Sequence, residues 1–286
     1  MEFYKFIKRE GLHTNFIVNI DYSEYGKIKS FKEEVKEHIK SIVSNYDSVY
    51  LLFSGGMDSR FLALNLLELG IDFTAVTYGF KEDFTDYDSQ VSTEFAKEHG
   101  FKHEIFYIDI GRLQKSVDSY LDKKFFIPLL NPHYIISAIN EYNKPNCVFL
   151  TGACSEFKIE YGIVELAWNF LMVRDIHPNV YNFTTNKILL SYFNEPIIKE
   201  FWKDRSLGKF GARDKLYKSI YPDKLDIIEK QLPEDKNLSK YWHKVIFEKH
   251  KVLYPDLFHI DKFRFSLEKH YKTIEELNNG SSDDRL

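Results

Sequence analysis

The sequence predicts an α/β fold, a parallel sheet with crossover helices followed by a mostly helical lobe, and three observations carry that prediction. Ser48-Val49-Tyr50-Leu51-Leu52-Phe53 is an apolar run bounded by turn residues, as suits a strand buried on both faces. Further strand-like runs at 73–78, 103–108 and 147–151 alternate with helical patterns at 58–69, 86–99 and about 132–143. Gly70, Gly79 and Gly100 fall where successive elements should stop.

Ahead of the first sheet strand, the short apolar run ending at Ile20 reads as a small strand or hairpin. Phe31, Val35, Ile39, Ile42 and Val43 recur at helical spacing, with Lys and Glu between them. Ser30 is the expected N-cap, and Glu33 completes a capping box. Beyond the fourth strand the pattern turns helical, punctuated by Pro178, Pro196, Pro222, Pro233 and Pro255. The expected organisation is therefore an N-terminal extension over 1–30, an α/β domain over 31–155, a helical lobe over 156–277 and a polar tail over 278–286. No internal repeat is evident.

Composition narrows the function classes. The chain has 286 residues, 44% hydrophobic and 16% aromatic, which is globular composition with enough length for a large core. A net charge of −4 argues weakly against a binder that neutralises many phosphates of a nucleic acid. Two cysteines, Cys147 and Cys154, with no CxxC pair, speak against a disulfide framework or structural zinc and for a reducing cytoplasmic location. Met1 to Lys5 lack the apolar core of a signal peptide. The longest apolar stretch, 163–173, is interrupted by Glu165 and Asn169 and is too short to span a bilayer.

The chemistry concentrates at Ser54-Gly55-Gly56-Met57-Asp58-Ser59, between the buried strand and an amphipathic helix. A helix N-terminus at the carboxyl end of a strand offers backbone N–H groups and a positive dipole end to an anion. Two glycines allow close approach to phosphate oxygens and a positive φ. Ser54 and Ser59 add hydroxyl donors, and Asp58, which would repel a bare phosphate, suggests a Mg²⁺ ion between it and the phosphates. The segment is not a Walker A loop, since residue 60 is Arg and no G-x-x-x-x-G-K-[ST] occurs. No G-x-S-x-G elbow or H-E-x-x-H metal pair is present either.

The hexapeptide resembles the S-G-G-x-D-S signature of the PP-loop ATP pyrophosphatases. Within that superfamily the chain looks most similar to the synthetase domain of asparagine synthetases and β-lactam synthetases, over about residues 30–235. The resemblance implies an adenine-nucleotide α-hydrolase-like sheet, with ATP and Mg²⁺ as cofactors. It also implies adenylation of a carboxylate-type acceptor, release of pyrophosphate, and attack by ammonia or an amine. Thr77-Tyr78-Gly79 matches the segment beside adenine, and Asp86 to Asp88 an acidic pair. Thr151-Gly152-Ala153-Cys154-Ser155-Glu156 resembles the second phosphate-side loop, and Ala212-Arg213-Asp214 through Pro233 a late motif of the family. By that comparison Asp58 is a metal ligand and Gly152 a phosphate-side residue, while Lys230 is the candidate catalytic lysine, with Lys209 and Lys224 as substitutes.

The departures bear on mechanism. Ser155 stands where the family has a metal-binding Asp, so either Glu156 supplies that oxygen or the contact is lost; the first is favoured. Met1 is followed by Glu2 rather than by a nucleophilic cysteine, and only about 30 residues precede the synthetase-like part. The expected nitrogen source is therefore free ammonia, a separate glutaminase, or an amine already on a substrate. Two alternatives stand beside this reading: a PP-loop enzyme that aminates or thiolates a nucleotide or tRNA base, for which Cys154 is the residue to test, and a non-catalytic nucleotide-binding module. His103, ahead of an apolar run, reads as structural at the mouth of a strand, His133 has no nucleophile to pair with, and Trp168, Trp202 and Trp242 read as packing residues. The aromatic segment from Tyr181 to Phe201 fits a core, with a homo-oligomer contact as the second choice.

Overall fold

The computed structural model describes residues 7–10, 15–18, 20–80, 87–109, 111–113, 115, 130–152, 177–182, 185–203, 208–226 and 267–280. Two N-terminal strands, β1 (Ile7–Glu10) and β2 (Asn15–Val18), pair antiparallel, as the apolar run ending at Ile20 predicts. A 3₁₀ turn at Tyr22–Lys27 then leads to α1 (Phe31–Val43). The capping box forms: Glu33 Oε2 accepts from the Ser30 backbone N–H at 3.2 Å and from its hydroxyl at 2.6 Å.

A five-stranded, all-parallel sheet follows, built from β3 (Ser48–Leu52), β4 (Thr74–Phe80), β5 (Lys102–Ile108), β6 (Cys147–Thr151) and β7 (Val180–Asn182). Its order is β5-β4-β3-β6-β7. Helices α2 (Met57–Glu68), α3 (Tyr87–His99) and α4 (Leu130–Tyr142) connect the strands up to β6. The α/β class that the strand-helix alternation predicts is the one observed.

Three features differ from the sequence pattern. Gly79 does not stop its strand: β4 runs on to Phe80, and Gly79 pairs with Tyr107 of β5. A Cβ at Gly79 would lie 2.6 Å from the Tyr107 ring, so the glycine makes room for the aromatic instead of ending the strand. Strand β7 lies beyond residue 155, in the part expected to be a helical lobe, and pairs with β6 through Phe149–Val180. Finally, α2 is not amphipathic in the structure: from Phe61 to Leu66 every residue is buried, because helices cover it on the side away from the sheet.

The layer over α2 consists of α1, α5 (Asn186–Asn194), α6 (Pro196–Lys203) and α7 (Gly208–Ile220): α1 and α7 touch α2, α5 packs on α1, and α6 bridges α5 and α7. Phe61 of α2 stacks on Tyr217 of α7 with ring centroids 4.0 Å apart, and Phe31 of α1 packs on both. Tyr192, Phe193 and Phe201 are buried in this same core, which is the packing role favoured for the 181–201 segment. A last helix, α8 (Leu267–Gly280), places Tyr271 so that its hydroxyl donates to the Phe193 carbonyl at 3.2 Å. Among the described residues no helix is long and apolar enough to cross a membrane.

Candidate phosphate-binding site

Sheet order decides where a ligand can sit. From β3 the chain proceeds to β4 on one side, and from β6 to β7 on the other. The carboxyl ends of β3 and β6 therefore flank the topological switch point, where open α/β sheets leave a crevice for ligands. The register pairs Leu52 with Thr151, so the chain leaves both strands at the same height. The Ser54–Ser59 hexapeptide follows β3, and Gly152 follows β6.

The loop is built as its sequence demands. Gly55 has φ +66°, the left-handed region that a side chain disfavours. A Cβ there would also meet the Ser92 backbone nitrogen at 3.0 Å and Val91 Cγ1 at 3.1 Å, so α3 closes over the turn. Gly56 is the N-cap of α2 and has no side chain to bond the N–H groups of the first turn. Those donors face the crevice with the positive end of the helix dipole behind them. The Ser59 hydroxyl donates to the Gly56 carbonyl at 3.0 Å and lies 3.5 Å from the Ser54 hydroxyl, which fixes the bend.

Gly152 closes the other wall. A Cβ on it would sit 2.6 Å from both the nitrogen and Cα of Ser59 and 2.9 Å from the carbonyl carbon of Asp58. Only glycine lets the end of β6 lie against the first turn of α2. Thus Ser54, Gly55, Gly56, Asp58, Ser59 and Gly152 converge, as the sequence motif requires.

Thr77 and Tyr78, expected beside the adenine, lie on β4, next to β3 in the sheet. Thr77 is fully buried; its Oγ1 donates to the Phe53 carbonyl at 2.5 Å and lies 2.8 Å from His103 Nε2. It braces the root of the loop from behind. Burial pushes the Tyr78 phenol up, leaving it neutral at physiological pH. Burial likewise holds the His103 imidazole below its ordinary value, against the opposing pull of Glu104. The ring meets Phe53 edge-on, and this is the structural role read for His103 from sequence.

One polar contact was not legible in the motif. Arg213 of α7 donates from Nη1 to Asp58 Oδ2 at 2.9 Å, while its Nε and Nη2 donate to Asp214 Oδ1 at 3.1 and 3.0 Å. The Arg213 and Asp58 side chains are 11% and 23% exposed, so the pair is shielded enough to matter but still open to the crevice. Arg60, next after the hexapeptide, turns away and donates to the Asp226 carbonyl at 2.8 Å. Lys224 is exposed; Lys230, Glu156, Ser155, Cys154, Trp168, Trp242 and Asp86 lie outside the described residues, as do the side chains of Lys209, His133 and Trp202. Among the described residues no group of three His, Cys, Asp or Glu side chains could by itself hold a metal ion. Asp58 alone fits a magnesium ion that arrives on a nucleotide, since such ions keep one or two protein carboxylates and take their other oxygens from phosphate and water.

No family model matches the chain, and no curated protein matches it. The chain is similar to a number of solved structures, three of which follow. A predicted tRNA methyltransferase subunit from Methanocaldococcus jannaschii is 18% identical over 71% of this chain and 88% of its own, with a TM-score of 0.38. The NMN synthetase of Francisella tularensis is 16% identical over 77% and 94%, with a TM-score of 0.34. The NH₃-dependent NAD synthetase of Campylobacter jejuni is 13% identical over 72% and 99%, also at 0.34. Likeness at that level carries no argument; the α/β class stands on the sheet order itself.

Proposed function

We propose that this protein is an ATP-dependent synthetase of the PP-loop class, which holds the pyrophosphate part of ATP on residues 54–59 and breaks the bond between the α- and β-phosphates. The observation that supports it most is the conjunction at the switch point: a left-handed Gly55, an N-cap glycine with no capping side chain, and Gly152 pressed against Ser59. That arrangement brings the backbone donors of the first turn of α2 to a site suited to an anion, with the Asp58–Arg213 pair beside them.

The reaction this supports is asparagine synthetase-like. A carboxylate oxygen of the acceptor attacks the α-phosphorus, the α–β bridging bond breaks, and pyrophosphate leaves. Ammonia or an amine then attacks the acyl carbon, loses a proton, and expels AMP. The first turn of α2 binds and orients the departing pyrophosphate, and Ser54 and Ser59 hold the loop in register beneath it. Magnesium, when bound with the nucleotide, neutralises phosphate charge, and Asp58 is the residue placed to hold it, with Glu156 the second ligand proposed from sequence. Lys230 is proposed to stabilise the charge that develops at the acyl and α-phosphoryl groups.

The test is an ATP–pyrophosphate exchange screen with carboxylates, nucleosides and RNA as acceptors. Exchange with a carboxylate supports the synthetase. Exchange with a nucleoside or RNA moves the function to base modification, and nucleotide binding without exchange across the screen moves it to a non-catalytic module.

A further inference from the structure

We propose that Arg213 is a phosphate-binding residue, which Asp58 holds in the resting site and gives up to an entering pyrophosphate group. The proposal rests on the ATP reading above and adds to that site a residue distant in sequence. Arg213 stands 155 residues from Asp58, yet its Nη1 lies 2.9 Å from the Asp58 carboxylate, at the first turn of the helix that presents the loop donors.

Several contacts aim the guanidinium there. Asp214 takes Nε and Nη2 through one oxygen, which turns the Nη1 edge toward α2. Tyr217 lies beneath, with its ring centroid 6.0 Å from the guanidinium carbon, and Tyr217 is itself stacked on Phe61 of α2. The Phe61–Tyr217 stack joins α7 to α2, and the Asp214 contacts hold the Arg213 guanidinium with its Nη1 edge at Asp58.

The charges favour that exchange. Among the described residues, the Asp58 and Asp214 carboxylates share the one Arg213 guanidinium, and the Asp58 carboxylate opposes a bare pyrophosphate beside it. Guanidinium binds phosphate well, through a planar fork of donors and weak hydration. Transfer of Nη1 from Asp58 to a phosphate oxygen gives the anion a charge-assisted donor. It also turns the Asp58 carboxylate toward the cation that travels with the nucleotide.

Binding of inorganic pyrophosphate, followed by calorimetry in EDTA, separates this role from simple bracing. Asp58→Asn removes the repelling carboxylate and leaves the guanidinium to the ligand, so metal-free affinity should rise about tenfold over wild type. The double variant Asp58→Asn, Arg213→Ala should lose that gain. With magnesium present, Arg213→Lys should weaken pyrophosphate binding about tenfold, because the fork is lost while the charge stays. Asp58→Asn binding no tighter than wild type, or the double variant matching Asp58→Asn, would overturn the proposal. If Asp58→Asn does not fold, Arg213→Lys decides: unchanged affinity in magnesium reduces Arg213 to a brace. Wild type that binds no pyrophosphate even with magnesium removes the ATP reading and Arg213 with it, a failure distinct from the others.

Discussion

The turn that leaves β3 and the segment that ends β4 lie side by side in the sheet, yet their polar atoms are committed in opposite ways. At 54–59 the backbone is forced into a bend only glycine tolerates, and the helix donors are left without a capping side chain. At 77–79 the side chain is turned inward: Thr77 is spent on the Phe53 carbonyl and His103, and Gly79 lies under Tyr107. The difference separates the surface proposed to receive an anion from a strut that holds it in place. A binding loop keeps donors unspent, whereas a strut spends them.

Substitutions should divide along that line. The largest effect is expected for Gly152→Ala, whose new methyl meets backbone atoms of Ser59 that cannot yield. Overpacking against a helix start should cost about 3 kcal/mol in urea denaturation and abolish pyrophosphate binding. Next is Gly55→Ala, which combines a left-handed φ with the contact to Ser92. A loss of about 1–2 kcal/mol is expected, again with loss of pyrophosphate binding. Wild-type affinity in either variant would show that the loop is an ordinary turn.

On the other side of the comparison, Thr77→Val should cost about 1–2 kcal/mol, since the Phe53 carbonyl loses its buried donor. Its pyrophosphate affinity should stay near that of wild type, whereas a fall in ATP affinity alone would make the end of β4 a nucleotide contact as well as a strut. Gly79→Ala should be milder, below about 1 kcal/mol, because the obstructing Tyr107 ring is 49% exposed and can swing aside.

The smallest expected effect is a pH dependence to which the strut contributes through His103. Burial lowers the pKa of His103, and of His99 and His177, below the unfolded value of about 6.5. Below that value the unfolded chain binds more protons than the folded one, so stability should fall as pH drops through about 6.5 toward the folded-state values. Replacing His103 with Asn should reduce that slope, leaving the His99 and His177 share, in denaturation midpoints measured between about pH 7 and 5. An unaltered slope would place the titration elsewhere.

How much of this was legible in the chain follows from distance along it. The hexapeptide is contiguous, and a buried strand, two glycines and a helix start within a few residues fix its shape locally. The capping box at Ser30 and Glu33 is equally local. By contrast, Arg213 reaches Asp58 only because α7 folds back on α2 through aromatic stacking, and no spacing encodes that. Three-residue β7 is too short for alternation to show, and Pro178 precedes it among turn residues. The burial of α2 on nearly all sides was legible, because Phe61 to Leu67 is apolar at every position but Asn65, a pattern that suits a helix covered all round and not an amphipathic one.

The central claim is that the loop after β3 holds a departing pyrophosphate, and the products of ATP turnover test it most directly. In ³¹P spectra of ATP with magnesium, the protein and an acceptor found in the exchange screen, AMP and pyrophosphate should grow in together. That pairing should vanish in Gly55→Ala. Accumulation of ADP and inorganic phosphate would contradict the account, because it would place the broken bond between the β- and γ-phosphates.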